Sequence, residues 1–334
     1  MKQQQAIVHL GRRDLSALLD RAPLVDELFR AFAQRPANPL RQRLDASGGR
    51  ELLVMPAVSD GYAGIKTLTV MPANAERGRP VISGLFTLFD FGTGAPLATF
   101  DAGELTARRT AAVSAAAASR LARGDASRLL MLGAGHLVPY LAAAHAAVRP
   151  VARIEVWARN RDRAHEAAAR IRALRPDLDV AVATELEAAV RAADIVSVAT
   201  RATAPVLRGR WLPPGAHVDL VGGYRPDMRE IDDDGIANCR LFADARDAAL
   251  SEAGDLIDPI ARGVIRASSL LGDLSDLATG ACGRTSGGEI TLFKSVGTAA
   301  ADLATAVCAW KRRAALARIP EDPVPVGAVR ATAE

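Results

Sequence analysis

Two sets of residues in this sequence are placed to do chemistry. The first is the run Leu129-Leu130-Met131-Leu132-Gly133-Ala134-Gly135-His136-Leu137-Val138, which reads as a buried strand, a tight turn and a helix start. Gly133 permits the turn and Gly135 lets the backbone approach a diphosphate. The N–H groups around Ala134, His136 and Leu137, at the positive end of the helix, then face the phosphates. Val138 stands where the dinucleotide fingerprint carries its third glycine. A Gly-x-Gly alone is a common strand-to-helix turn; its place inside an alternating strand and helix run selects dinucleotide binding.

The next strand, Ile154-Glu155-Val156-Trp157, is followed by Ala158-Arg159-Asn160-Arg161. An NAD site usually carries a carboxylate there for the ribose hydroxyls. Two arginines instead suit a 2′-phosphate, through charge-assisted and bidentate hydrogen bonds. The expected cofactor is therefore NADP(H) in preference to NAD(H), with Arg159, Asn160 and Arg161 around the adenosine end.

The second set is cationic. Arg41 and Arg43 follow Pro39, Lys66 is a lone cation in the apolar stretch Tyr62–Val70, and Arg108-Arg109-Thr110 opens an alanine-rich helix. Lys66 either turns to water or lines a site; burial would lower its pKa and make it a usable proton donor. An arginine at a helix start adds charge where the dipole is already positive, which makes sense if an anion binds there.

The elements that must hold these groups fall into two rhythms. Asp14 to Gln34 has helical spacing, split near Pro23. Leu52–Pro56, Gly64–Pro72, Val81–Asp90 and Pro96–Asp101 read as an antiparallel meander, followed by a helix from Leu105 to Leu121. From about Ser127, strands at Leu129, Arg153, Val180, Ile195, His217 and Arg240 alternate with helices, the pattern of a Rossmann-type doubly wound parallel sheet. The fold class is α/β, with an α+β N-terminal module. A last helix, from Thr298 to Leu316, would return to that module. The expected division is residues 1–123 with 303–334 for substrate binding and dimerisation, and residues 124–302 for the dinucleotide.

Length and composition fit this picture. The 334 residues suit two domains, and 49% hydrophobic with 24% charged residues is ordinary for a globular chain. The net charge of +4 suits an anionic cofactor and substrate, without the basic and aromatic clustering of a nucleic-acid binder. Three unpatterned cysteines and five histidines without ligand spacing point to no disulfide framework and no metal. No apolar run is long enough to span a membrane or serve as a signal peptide, so the expected location is the cytoplasm. Ile319–Glu334 reads as a tail.

Taken together, Met55-Pro56-Ala57, Gly64-Ile65-Lys66, Pro96-Leu97-Ala98, Leu105–Ala112, the Gly133–Gly135 turn, Ala193–Val196, Pro214–Val218 and Glu289–Gly297 resemble the ornithine cyclodeaminase/mu-crystallin family over nearly the whole chain. The resemblance implies a homodimer paired through the N-terminal domains and a small amino or imino acid bound between the two domains. It implies that Arg41 (or Arg43), Lys66 and Arg109 contact substrate, Lys66 and Arg109 catalytically. Thr110, the glycine turn, Thr200 and Ser295 would contact cofactor.

One departure matters. The cyclodeaminases carry an aspartate after the glycine pair, where this chain has Gly222-Gly223-Tyr224. A phenol with a pKa near about 10 is a poor substitute base at neutral pH. The chain therefore looks closest to the branch that reduces Δ1-pyrroline-2-carboxylate and related ketimines. The expected reaction is reduction of such a cyclic imino acid to L-proline or L-pipecolate. Ornithine cyclodeamination, another amino-acid dehydrogenation or a non-catalytic small-ligand carrier are the alternatives.

Overall fold

The computed structural model describes residues 7–316, apart from Asp20, Asn38 and Asp60. The C-terminal tail and the start of the chain lie outside the described residues. Two sheets organise the rest. The first holds β1 (Val8–Leu10), β2 (Gln42–Ala46), β3 (Arg50–Ser59), β4 (Tyr62–Val70), β5 (Ile82–Asp90) and β6 (Pro96–Asp101), in the order β1-β6-β5-β4-β3-β2. The meander β3–β6 is antiparallel as expected, and β1 joins β6 in parallel. β2 escaped the sequence reading because all five of its residues are exposed, so no alternation marks it.

The second sheet is wholly parallel. Its strands are β7 (Arg128–Leu132), β8 (Arg153–Trp157), β9 (Asp179–Val182), β10 (Ile195–Val198), β11 (His217–Leu220), β12 (Arg240–Ala243), β13 (Leu270–Asp273) and β14 (Thr291–Lys294). The order β13-β12-β14-β11-β10-β7-β8-β9 reverses direction between β7 and β10. That reversal opens a crevice beyond the carboxyl ends of the strands, where doubly wound folds bind ligands. The glycine turn follows β7, and Ala199 and Thr200 follow β10, so both fall at the crevice.

Helices α1 (Arg12–Leu18), α2 (Arg21–Ala33) and α3 (Ala102–Leu121) belong to the first half of the chain. After β7 come α4 (Val138–Val148), α5 (Arg161–Leu174), α6 (Leu186–Arg191), α7 (Asp233–Asn238), α8 (Arg246–Glu252), α9 (Gly254–Ala261), α10 (Leu274–Thr279) and α11 (Ala299–Leu316). The α1–α2 break falls before Pro23, which sits within the first turn of α2, where a missing N–H costs nothing.

α3 begins earlier than its apolar spacing suggests. Asp101 caps it by accepting from Glu104 N at 2.7 Å, so the helix starts at Ala102. Arg108 and Arg109 therefore sit in the second turn, and the dipole argument for an anion at that helix end does not apply to them. The alanine run has another cause. α3 packs against α2, α4 and α11 and touches strands of both sheets, so almost every side of it is buried and small side chains let its neighbours close in. α11 packs on β3, β4 and β5, returning to the first sheet from the far end of the chain. Among the described residues, no helix is long and apolar enough to cross a membrane.

Candidate active site

β3, β4 and β5 alternate, and their register aligns Met55, Lys66 and Phe86 across the inner face of the first sheet. Lys66 is thereby carried inward and is only 1% exposed. Its Nζ donates to Asp302 Oδ2 at 2.5 Å, and Arg109 Nε donates to Asp302 Oδ1 at 3.0 Å. One buried carboxylate on α11 thus holds two cations from β4 and α3. Burial pulls the Lys66 ammonium down to about 8; attraction to Asp302 offsets part of that, and the charges of Arg109 and Arg41 add to the lowering.

Arg41 reaches the same place from the loop before β2. Its Nε donates to Glu252 Oε1 at 3.0 Å and its Nη2 to the carbonyls of Val296 and Gly297 at 2.5 and 3.1 Å. The Tyr224 ring lies 5.8 Å from its guanidinium carbon. Arg43, the other candidate, instead turns to Asp45 and Glu51. Arg41, Lys66, Arg109, Thr110, Leu137 and Ser295 line one cavity of about 190 Å³. Its other wall is apolar, from Leu53, Met55, Leu68 and Ile82, and no carboxylate lines it among the described residues. Three lining cations, held from behind by Asp302 and Glu252, beside an apolar wall have the charge and shape that suit a small carboxylate with a hydrocarbon body.

The loop after β14 is shaped for this cavity. Asp244, buried at the end of β12, accepts from Ser295 Oγ, Val296 N and Gly297 N at 2.9, 3.0 and 2.7 Å. Gly297 has φ +84°, and a Cβ there would stand 2.8 Å from the Arg109 guanidinium nitrogens. Only glycine leaves Arg109 its place.

The second cavity is a cleft of about 940 Å³ along the crevice, lined by Gly133, Ala134, Gly135, Arg159, Asn160 and Thr200 among others. Gly133 has φ +120°, its N–H is held by Trp157 O at 2.8 Å, and a Cβ would come within 2.5 Å of Ala199 O. At Gly135 a Cβ would meet nothing within 4 Å, so the backbone is open to the cleft. No acceptor among the described residues takes the N–H groups of Ala134, Gly135, His136 or Leu137. Leu137, which precedes the first turn of α4, supplies no side-chain cap. Free donors around an open backbone at a helix start fit a diphosphate.

Not every expected residue reaches the cleft. Arg161 is the first residue of α5 and does not line it; Arg163, two residues on, does. Asn160 lines the cleft, but its side-chain oxygen caps α5 by accepting from Arg163 N at 3.0 Å. His136 is exposed and leans on the Tyr140 ring, with centroids 5.2 Å apart. Leu137, Thr110 and Ser295, expected at the cofactor, line the cationic cavity and not the cleft; Leu137 stands two positions after Gly135.

The acids were the part the sequence hid. Asp302, Asp244 and Glu252 carried no motif, and Glu230 was not singled out. Glu230 is fully buried and accepts from Thr200 N, Thr200 Oγ1, Gly222 N and Gly223 N at 2.8 to 2.9 Å. It ties the loops after β10 and β11, which bear Thr200 and Tyr224. Burial raises its pKa, against the attraction of Lys294. The one available signal for Asp302 was a lone acid inside Ala299–Ala309, a helix stretch otherwise of small or apolar residues.

Comparison with known proteins agrees with this geometry. A Δ1-pyrroline-2-carboxylate reductase from Paracoccus denitrificans is 45% identical over 245 residues, 73% of this chain and 77% of that protein. The structure of the Thermococcus litoralis Δ1-pyrroline-2-carboxylate reductase in complex with NADH and L-proline superposes with a TM-score of 0.88 at 30% identity, covering 93% of this chain and 98% of that one. An archaeal alanine dehydrogenase dimer with bound NAD gives 0.86 at 25% identity over 93% and 97% of the two chains. The sequence profile named Ornithine cyclodeaminase/mu-crystallin family matches residues 6–315. The chain belongs to that family.

Proposed function

We propose that this protein reduces a cyclic imino acid, Δ1-pyrroline-2-carboxylate or Δ1-piperideine-2-carboxylate, to L-proline or L-pipecolate with a reduced nicotinamide dinucleotide. The observation that carries the reading is the cationic cavity of Arg41, Lys66 and Arg109, whose lining residue Leu137 stands two positions after Gly135 of the glycine-turn cleft. The relatives named above support the substrate class and the cofactor class.

When bound, the dinucleotide supplies the hydride, and the chain's own residues align and polarise the substrate. Arg109 and Arg41 hold the substrate carboxylate through charge-assisted bonds, which fixes the imine carbon in position. The apolar wall of Leu53, Met55, Leu68 and Ile82 takes the ring methylenes. Lys66, protonated at neutral pH and lowered toward it, gives the imine nitrogen its proton, which makes the carbon electrophilic. The free N–H groups of the glycine turn hold the diphosphate.

A screen of NADPH consumption with both cyclic imines, beside an ammonia assay on ornithine, tests the reading. Oxidation with the imines and no ammonia is expected. Ammonia release without imine reduction overturns it.

NADP(H) is the proposed preference over NAD(H), on Arg159 and Arg163 at the adenosine end of the cleft. Trp157 lies on the same wall and gives a fluorescence signal for titration. Arg159→Ala should weaken NADPH binding about tenfold and leave NADH nearly unchanged, as expected for losing one charge-assisted phosphate contact. Equal weakening of both would remove the preference.

A homodimer through the first sheet is part of the same reading. Leu44, 60% exposed, shares the sheet's outer face with Leu52, Val54 and Leu85, itself 47% exposed. A row of this kind is what a second copy would cover. The reading also divides the chain into residues 124–302 for the dinucleotide and residues 1–123 with 303–334 for substrate and dimer, with α11 drawing the second boundary forward to Ala299. It places the protein in the cytoplasm.

A further inference from the structure

A further cation, Arg170, stands beside the glycine turn. Arg170 lies on the exposed flank of α5, while Ala167, Ala168 and Ile171 fill the buried side of that helix. Its Nη2 donates to the carbonyl oxygen of Ala134 at 2.9 Å and to that of Gly135 at 3.3 Å. Both peptides are trans, since the described chain holds no cis bond. In a planar trans peptide the N–H points opposite to the C=O. Fixing these two carbonyls toward α5 therefore fixes the N–H groups of Gly135 and His136 in the opposite direction, away from α5. Those are two of the four turn donors without an acceptor.

We propose that Arg170 is the positioning residue of the diphosphate site: it holds two peptide planes of the glycine turn so that their N–H groups face a dinucleotide diphosphate. This rests on the dinucleotide reading above. Three effects act together. The turn contains two glycines, which would otherwise sample many backbone conformations, and the guanidinium removes that freedom. A charged donor on a carbonyl polarises the same amide, which strengthens its N–H as a donor on the other side. The charge is also felt at the turn itself. The His136 imidazole, exposed yet partly shielded from water by its neighbours, is held below its ordinary value by that loss of hydration first and then by the charges of Arg12 and Arg170, with Glu104 opposing. Arg170 thus contributes without touching the ligand, and its exposed position makes it replaceable without disturbing the core.

The test is a Trp fluorescence titration of the full chain with NADPH, NADH and ADP-ribose, which share the diphosphate and differ at both ends. Arg170→Met keeps the stem and removes every donor. It should weaken all three ligands about tenfold, with the thermal midpoint of the ligand-free protein unchanged. Arg170→Lys, which keeps a charge and donors, should restore most of the loss. Unchanged affinity in Arg170→Met overturns the proposal. So does a loss that comes with lowered thermal stability, or one that Arg170→Lys leaves unrepaired. Failure of the parent protein to bind any of the three would instead take away the dinucleotide reading itself.

Discussion

Lys66→Met lowers turnover with the cyclic imine by about 10²–10⁴-fold, the usual worth of a positioned general acid, while dinucleotide affinity stays close to that of the parent. The methionine fills the volume of the stem and leaves Asp302 its bond to Arg109, so the loss belongs to the proton and not to the packing. The parent enzyme should show the same group in its pH profile. The ammonium of Lys66 is lowered to about 8, so the protonated donor is present below that value and is lost as the pH rises through it. Turnover should fall on the alkaline side with an apparent pKa near about 8. A variant with full activity, or a parent rate flat to pH 10, would assign the proton to another group.

Asp302→Asn gives the largest expected effect on stability. It leaves the buried Lys66 and Arg109 cations without the carboxylate that both donate to. Breaking a buried pair in this way costs about 3–5 kcal/mol, less whatever Lys66 recovers by giving up its proton. In thermal unfolding that is a fall of roughly 5–15 °C. The carboxylate's attraction also raises the Lys66 pKa, so its loss moves that pKa further down. The alkaline limb of the rate profile should then shift to lower pH, and a differential scanning trace and a pH–rate profile on the same preparation check both effects. An unshifted limb would mean that Asp302 does not govern the proton on Lys66.

What the sequence made legible was set by how each signal is written. The glycine turn, the alternation after Ser127 and the meander are local patterns, and each appears in the structure where it was read. Lys66 and Arg109 stood out because a lone cation in an apolar strand or an alanine-rich helix must be accounted for, and Arg41 stood out by its motif position. Their counter-charges did not stand out. An acid such as Asp302 or Glu252 on a helix reads as solvated until the partner helix or strand is known, and the partners are up to 236 positions away in the chain. Strands β13 and β14 each end in a charged residue, Asp273 and the fully buried Lys294, which masks their short apolar runs. The exchange of Arg161 for Arg163 on the cleft wall follows from the first turn of α5. With Asn160 as cap, the helix carries Arg161 away from the crevice and Arg163 toward it.

The return of α11 to β3, β4 and β5 has a consequence for how the molecule is born. On the ribosome the six-strand sheet emerges early, with the part of its surface that α11 covers still bare, and must wait for more than half the protein to be made before that helix arrives. The parallel-sheet module, complete by then, can fold as an insert, but the ammonium of Lys66 lacks the Asp302 carboxylate until α11 docks. Catalytic competence is therefore the last thing the nascent polypeptide acquires, and chains released before that helix would be aggregation-prone as well as inert.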